Sequence, residues 1–214
     1  MDEGKFIVLE GIDGSGTSTQ GPLLVKYLFE KLKKNVPVLS REPTELSSYG
    51  RELRRRLEGR LLPGEEVIHD PVYWVSLFFN DRKWHVDNVI TPSLKIGLQV
   101  ISDRYKLSTI AYQSAQGASM DDLIKIHDRL PVPDLTLLLD VSAEIALTRR
   151  GRDQHRTQEY FESLETQRKV RNQYLLAAQQ LSSSEKIVII DASKSIEDIA
   201  KAIQQEVNKL YGYK

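Results

Sequence analysis

The sequence contains no cysteine. That absence excludes disulfide frameworks, thiolate metal sites and cysteine nucleophiles. It also lacks a surplus of either charge, since 30 Lys and Arg residues balance 30 Asp and Glu residues in a chain of 214. A general polynucleotide binder needs excess cations to displace counterions from phosphates, so nucleic acid is not an expected partner. Long apolar runs are missing as well. The longest aliphatic stretches, such as Ile187 to Ile190, fall far short of the ~20 residues that cross a bilayer. The opening Met1-Asp2-Glu3-Gly4-Lys5 is acidic and no signal-peptide apolar segment follows it. The expectation is a compact protein of the cytoplasm with no membrane partner.

What is present alternates. Four runs, Phe6-Ile7-Val8-Leu9, Val100-Ile101-Ser102, Leu135 to Leu139 and Ile187 to Ile190, are apolar or nearly so throughout. Such runs predict strands buried on both faces of a parallel sheet. Val36-Pro37-Val38-Leu39 is a weaker fifth candidate, whose Pro37 suits a strand start or an edge. Helical patterns fill the intervals over Pro22 to Lys34, Val72 to Val86, Glu159 to Leu181 and Ile196 to Leu210. The order predicts an α/β fold, a five-stranded parallel sheet with helices on both faces and right-handed crossovers. Residues 1–214 read as a single domain, and the polar stretch Arg149 to Gln158 reads as a mobile lid inside it.

The first strand runs into Gly11-Ile12-Asp13-Gly14-Ser15-Gly16-Thr17-Ser18-Thr19, and a helix follows. Strand, glycine-rich loop and helix together make a cradle of backbone N–H groups for phosphate at the positive end of a helix. Gly11, Gly16 and Ser18 match the G-x-x-x-x-G-K-[ST] pattern, but Thr17 stands where the lysine belongs. The bland alternative is a glycine-rich turn that only caps a helix. Its placement between the strand and helix that the motif requires favours phosphate binding.

The remaining motifs make the sequence resemble the thymidylate kinase family over nearly its whole length. Asp13 lies within the loop, and Arg41-Glu42-Pro43 follows the second strand with Gly50 and Arg54 behind it. Leu77-Phe78-Phe79-Asn80-Asp81-Arg82 fits an L-F-x-x-D-R helix. Asp103-Arg104-Tyr105 is followed by Ser108, Ala111, Tyr112 and Gln113, then by Pro133-Asp134-Leu135, an arginine-rich lid and Asp191-Ala192-Ser193. The resemblance implies a P-loop nucleoside monophosphate kinase fold and transfer of phosphate from ATP to dTMP, with Mg2+, for dTTP synthesis. It also implies a homodimer through helices that include Val72 to Val86. Two departures stand out: Thr17, and one arginine missing from Glu159-Tyr160-Phe161-Glu162 at the lid's end. With Gly14 in the loop and Arg149, Arg150, Arg152 and Arg156 in the lid, the sequence is similar to the lid-arginine type.

The chemistry assigns roles. A monophosphate acceptor is largely a dianion at neutral pH, its second ionisation lying near pH ~6, so no general base is required. Asp103 at a strand end, with the Ser18 hydroxyl, suits a magnesium site, the alternative being a helix cap. Arg104 and Arg41 suit a bidentate clamp on the acceptor phosphate, the alternative being surface ion pairs. Phe78 and Arg82, one helical turn apart, would stack on a pyrimidine and reach a base carbonyl, although Phe78 alone would read as core. Ser108 and Tyr112 repeat that spacing, Gln113 offers a donor and an acceptor to a base edge, and Asp13 would accept from the sugar hydroxyl. By resemblance, Arg149 flanks adenine with Ala192 and Ser193 opposite. Arg152 and Arg156 are the expected substitutes for the lysine, since an arginine from elsewhere strongly accelerates such reactions. The four histidines, His69, His85, His127 and His155, lack metal-ligand spacing and read as ordinary surface residues. Competing readings are a nucleotide-binding protein of the same fold impaired in catalysis, and a kinase for another nucleoside monophosphate. A GTPase is disfavoured by the absence of an Asn-Lys-x-Asp motif.

Overall fold

A computed structural model describes residues 4–32, 36–151 and 163–213 of the chain. Five strands, β1 (Phe6–Glu10), β2 (Pro37–Arg41), β3 (Gln99–Asp103), β4 (Leu135–Asp140) and β5 (Ile187–Asp191), form one parallel sheet in the order β2-β3-β1-β4-β5. The central strands are buried on both sides because their residues alternate between two apolar layers. Ile7 and Leu9 face one cluster with Ile101 and Leu137, whereas Phe6 and Val8 face another with Val100, Val86 and Ile90. Helices cover both layers, which is why these strands read as unbroken apolar runs rather than alternating ones. The chain leaves β1 toward one side of the sheet and β3 toward the other. A crevice therefore opens beyond the C-terminal ends of these neighbours, where Leu9 pairs with Asp103 and Asp103 with Arg41.

The helices are α1 (Thr17–Leu32), α2 (Ser48–Leu57), α3 (Pro71–His85), α4 (Thr91–Lys95), α5 (Lys106–Ala115), α6 (Met120–His127), α7 (Ala143–Gly151), α8 (Leu164–Leu181) and α9 (Ile196–Tyr211). A π-helical turn, Val86–Ile90, joins α3 to α4. Asp70 caps α3 by accepting from Val72 N at 2.9 Å, with Pro71 in the first turn, where a missing N–H costs little. None of the helices among the described residues is long and apolar enough to cross a membrane.

Three sequence expectations change. The first helix starts at Thr17 rather than Pro22, because the glycine loop nucleates it: Thr19 N and Gln20 N both donate to Gly16 O, at 3.0 and 2.9 Å. Pro22 then sits inside the helix, without the N–H that would bond Ser18. The run Ile187 to Ile190 is not buried on both faces. It belongs to an edge strand, and Ile189 is 52% exposed. The long penultimate helix is described from Leu164, with Ser163 accepting from Thr166 N at 3.1 Å, and residues 159–162 lie outside the described part.

Candidate active site

The loop after β1 bends through Gly11, Gly14 and Gly16, all at positive φ. At Gly14 (φ 87) a side chain is barred twice over, since a Cβ would lie 2.4 Å from the Ala146 carbonyl oxygen and 3.0 Å from Arg150 Cγ. The residues from Asp13 to Thr19 line a cavity of about 590 Å3 that extends to Phe78 and Gln113 at one end and to Arg149, Lys194 and Ile196 at the other. Gly11 and Ile12 lie behind it, with Ile12 in the core.

On the cavity floor, Ser18 Oγ donates to Asp103 Oδ2 at 2.8 Å. The other oxygen, Asp103 Oδ1, is buried and has no hydrogen-bond partner among the described residues. One hydroxyl and one carboxylate are a hard-oxygen set that fits magnesium, but too few ligands for a protein-only site. Such an ion takes its remaining ligands from nucleotide phosphates and water.

Arg41 ends β2, Arg104 directly follows the neighbouring β3, and both line the cavity. Arg104 has a left-handed backbone (φ 75), the one such non-glycine residue among those described. Its Nη2 donates to Asp13 Oδ1 at 2.5 Å, and its Nη1 donates to Gly11 O, Ser108 Oγ and Tyr174 Oη at 2.9 to 3.1 Å. Burial works against its charge, yet Tyr112, Asp13, Tyr174 and Asp103 raise its pKa well above the ordinary value, so it stays cationic. Tyr112 Oη donates to Asp13 Oδ2 at 2.8 Å. Burial, and then the Asp13 charge, raise the Tyr112 pKa above the usual phenol range.

At the far end, Phe78 faces the cavity from α3. Gln113 is fully buried and also lines it, and neither its Oε1 nor its Nε2 has a partner among the described residues. An unpartnered primary amide in a buried wall is costly unless a ligand satisfies it. Ser108 lines the cavity too, but its hydroxyl donates to Glu10 Oε2 at 2.6 Å. Arg82 does not line it. Its guanidinium is 1% exposed and engaged by Glu42 Oε2 (2.8 Å), His127 Nε2 (2.8 Å), Tyr105 O (2.9 Å) and Thr109 Oγ1 (3.0 Å).

That network overturns the surface reading of two histidines. His85 and His127 are each 1% exposed, His85 bonding Glu42 Oε1 through Nδ1 at 3.0 Å. Because Arg82 donates to His127 Nε2, that ring is neutral with its proton on Nδ1, directed at Leu123 O (2.6 Å). Burial, with the nearby Arg82 charge, pushes the His127 pKa down to about 3. His69 is exposed, and His155 lies outside the described residues.

At the opposite end, Arg149 Nη1 donates to Ala192 O at 2.8 Å and Nη2 to Lys194 O at 3.2 Å, which fixes the guanidinium beside the turn that follows β5. Ala192 is buried and Ser193 bonds back to Asp191, so neither lines the cavity itself. Thr17 lines it and is nearly buried. Arg150, from the end of α7, lies against Gly14 with Nη1 4.0 Å from Asp13 Oδ2. Arg152 and Arg156 lie outside the described residues.

Sequence reasoning missed Glu10, Glu42, Thr109, Lys194 and Ile196 as parts of this region. Glu42 sits inside the Arg41-Glu42-Pro43 motif and Thr109 beside Ser108, so proximity to motifs was the available signal. Lys194 likewise follows Asp191-Ala192-Ser193 directly, whereas for Ile196 there was only a predicted helix start.

The family model for thymidylate kinase matches residues 9–203 of this chain. A probable thymidylate kinase of Pyrococcus horikoshii is 41% identical over 197 residues, covering 92% of each chain. One from Pyrococcus abyssi is 38% identical over 201 residues, covering 94% of each. A thymidylate kinase of Carboxydothermus hydrogenoformans is 36% identical over 216 residues, covering 98% of this chain and 99% of its own.

Proposed function

Because the chain belongs to the thymidylate kinase family, we propose that it transfers the γ-phosphoryl group of ATP to dTMP, giving dTDP and ADP in the cytoplasm. The observation that carries the reading is the continuous cavity joining a phosphate loop to an apolar ring and the unpartnered Gln113 amide. Its lining, with the phosphate loop between Phe78 and Gln113 on one hand and Arg149 on the other, suits two nucleotides placed phosphate to phosphate.

Phosphoryl transfer demands positioning and charge stabilisation more than covalent chemistry. At the acceptor end, Phe78 stacks on the pyrimidine, Gln113 bonds its edge and Asp13 accepts from the sugar hydroxyl. Arg104 and Arg41 hold the acceptor phosphate, already a nucleophile without a base. At the donor end, Arg149, fixed by the carbonyl of the buried Ala192, covers adenine, and the N–H groups of Gly14, Gly16, Thr17 and Ser18 hold the phosphates. Ser18 and Asp103 would hold magnesium, which supplies charge neutralisation on the transferring group. Arg82 acts from behind the base pocket.

Thr17 leaves the loop without a lysine. Arg150 lies nearest in sequence to the predicted replacements Arg152 and Arg156 and already contacts the loop at Gly14, which supports arginines of this segment as the source of the missing charge. Thr17 also keeps alive a second reading, a nucleotide-binding protein that has lost turnover. Product formation from a panel of nucleoside monophosphates with ATP and Mg2+ separates the two. We expect dTMP to be phosphorylated fastest, and faster turnover of AMP or GMP would refute the acceptor assignment. Arg152→Ala or Arg156→Ala should lower kcat far more than ATP affinity, and Thr17→Lys should leave activity similar or modestly higher. No turnover in the wild type, restored by Thr17→Lys, would establish the binding-protein reading. The assembly we propose is a homodimer through α3, whose Val72 is 72% exposed.

A further inference from the structure

We infer that Glu10 is a positioning residue for Arg104: its ionised carboxylate turns the hydroxyls of Ser108 and Tyr174 so that both offer lone pairs to the guanidinium. The inference rests on the reading of Arg104 as a holder of the acceptor phosphate.

Four groups meet at one point. Ser108 Oγ and Tyr174 Oη each lie 3.1 Å from Arg104 Nη1 and 2.7 Å from one another. Glu10 Oε2 lies 2.6 Å from Ser108 Oγ and 3.3 Å from Tyr174 Oη. A guanidinium only donates, so both hydroxyl oxygens must accept from it, and their own protons must go elsewhere. Ser108 directs its proton at Glu10 Oε2, and Tyr174 directs its proton at Ser108 or at the same carboxylate oxygen. A protonated carboxyl at position 10 would instead donate into the cluster. The Ser108 and Tyr174 protons would then be left with only the weakly accepting oxygen of a neutral carboxyl hydroxyl, and the charge-assisted acceptor that turns both lone pairs toward the guanidinium would be gone.

The second carboxylate oxygen works on the backbone. Glu10 Oε1 accepts from Tyr105 N at 2.9 Å and Ser108 N at 3.2 Å, the first turn of α5. Those bonds fix the residues immediately after Arg104, whose φ of 75 is strained for a side chain of its size. Glu10 thus holds Arg104 at both ends, main chain and guanidinium.

The charged and titratable groups around Glu10 come from every element packed on it. They are Arg104 before α5, Arg82 from α3, Tyr174 from α8, and the ion pair of Lys106 and Glu185 across a small cavity that Glu10 also lines. Burial pushes the Glu10 pKa up to about 7, against the Ser108 hydrogen bond and the charges of Arg104 and Arg82. Acceptor affinity should therefore fall as pH falls through 7, beyond what the ionisation of dTMP itself causes.

Calorimetric titration of the apoprotein with dTMP, from pH 6 to 8.5, tests this without requiring turnover. Near pH 8, Glu10→Gln should bind dTMP about tenfold more weakly than wild type, the effect of one lost charge-assisted hydrogen bond. Near pH 6 the two should converge, because the variant mimics the protonated acid. ATP affinity should be the same in both. Equal dTMP affinities at every pH, or a constant ratio between the two profiles, would overturn the inference. Should Glu10→Gln not fold, Tyr174→Phe keeps the carboxylate and removes one acceptor of Arg104. It should weaken dTMP binding about threefold with the wild-type pH dependence retained, and unchanged binding would again overturn the proposal. A wild type that binds no dTMP at any pH removes the functional reading and this inference together. A wild type that binds it, with variants that match it, removes only the inference.

Discussion

Glu42, Arg82, His85 and His127 form a chain of polar and charged side chains with almost no access to water. Its stability rests on each group meeting a partner of opposite character: carboxylate to guanidinium, guanidinium to neutral imidazole, carboxylate to imidazole N–H. Removing one member of a buried pair leaves the other charge uncompensated, which costs about 3–5 kcal/mol. Glu42→Gln should therefore lower the urea midpoint by the equivalent of about 3 kcal/mol, and an unshifted midpoint would show that other groups carry the Arg82 charge. Phe78→Ala makes the contrasting case. Phe78 faces the cavity, with Trp74 6.4 Å behind it. Its loss should weaken dTMP binding by about 1–3 kcal/mol through lost stacking, with a smaller effect on stability than Glu42→Gln. Unaltered dTMP affinity would return Phe78 to the core. The sequence placed Phe78 and Arg82 on one helical face, and there spacing stopped being informative. Where the guanidinium goes is decided by a carboxylate 40 residues away, which no local pattern reveals.

Among the elements, α2 depends on a close approach to its neighbours. A Cβ on Gly50 would lie 2.0 Å from the Thr44 carbonyl oxygen and 2.5 Å from Asp81 Oδ1. Asp81, on α3, gathers the chain leading into α2 by accepting from Thr44 N, Thr44 Oγ1 and Ser47 Oγ at 2.5 to 2.8 Å. Ser47 in turn caps α2 through Gly50 N at 2.7 Å. Gly50→Ala should cost about 1–3 kcal/mol by overpacking. It should also raise KM for dTMP, since Arg54, one turn further along α2, lines the cavity and bonds Pro43 O. A thermal melt and a KM both equal to wild type would show that α2 can move aside. This helix escaped the sequence reading because it is short and arginine-rich, its apolar face is reduced to Tyr49, Leu53 and Leu57, and it buries fully only Gly50 and Leu53. The central strands and the phosphate loop were legible for the opposite reason. Runs buried on two faces and glycines at fixed spacing are local signals, whereas the edge position of β5 depends on which strands surround it.

For the molecule as a whole, the shifts of two buried groups that act between pH 3 and 7 oppose each other. His127 has its pKa lowered from 6.5 to about 3, so below 6.5 the unfolded chain binds a proton that the folded one refuses. This contribution to stability is present above pH 6.5 and is lost as pH falls toward 3. Glu10 has its pKa raised from 4.5 to about 7, so the folded chain retains a proton that the unfolded one releases. That contribution is present below pH 4.5 and is lost as pH rises toward 7. Between 4.5 and 6.5 the two slopes have opposite signs, each about 1.4 kcal/mol per pH unit. Equal numbers of acidic and basic residues keep the net-charge background small near neutrality. The wild-type protein should accordingly show nearly constant stability from pH 6.5 to 5. Glu10→Gln removes one slope and should lose stability on acidification over that range, by about 2 kcal/mol. His127→Gln removes the other, so its stability should rise as the pH is lowered. Urea titrations at half-unit intervals read the slopes directly, independently of how much each substitution costs at pH 7. Slopes in both variants as shallow as in the wild type would mean that neither group titrates across its stated range on unfolding, and would also deprive the pH dependence assigned to Arg104 of its source.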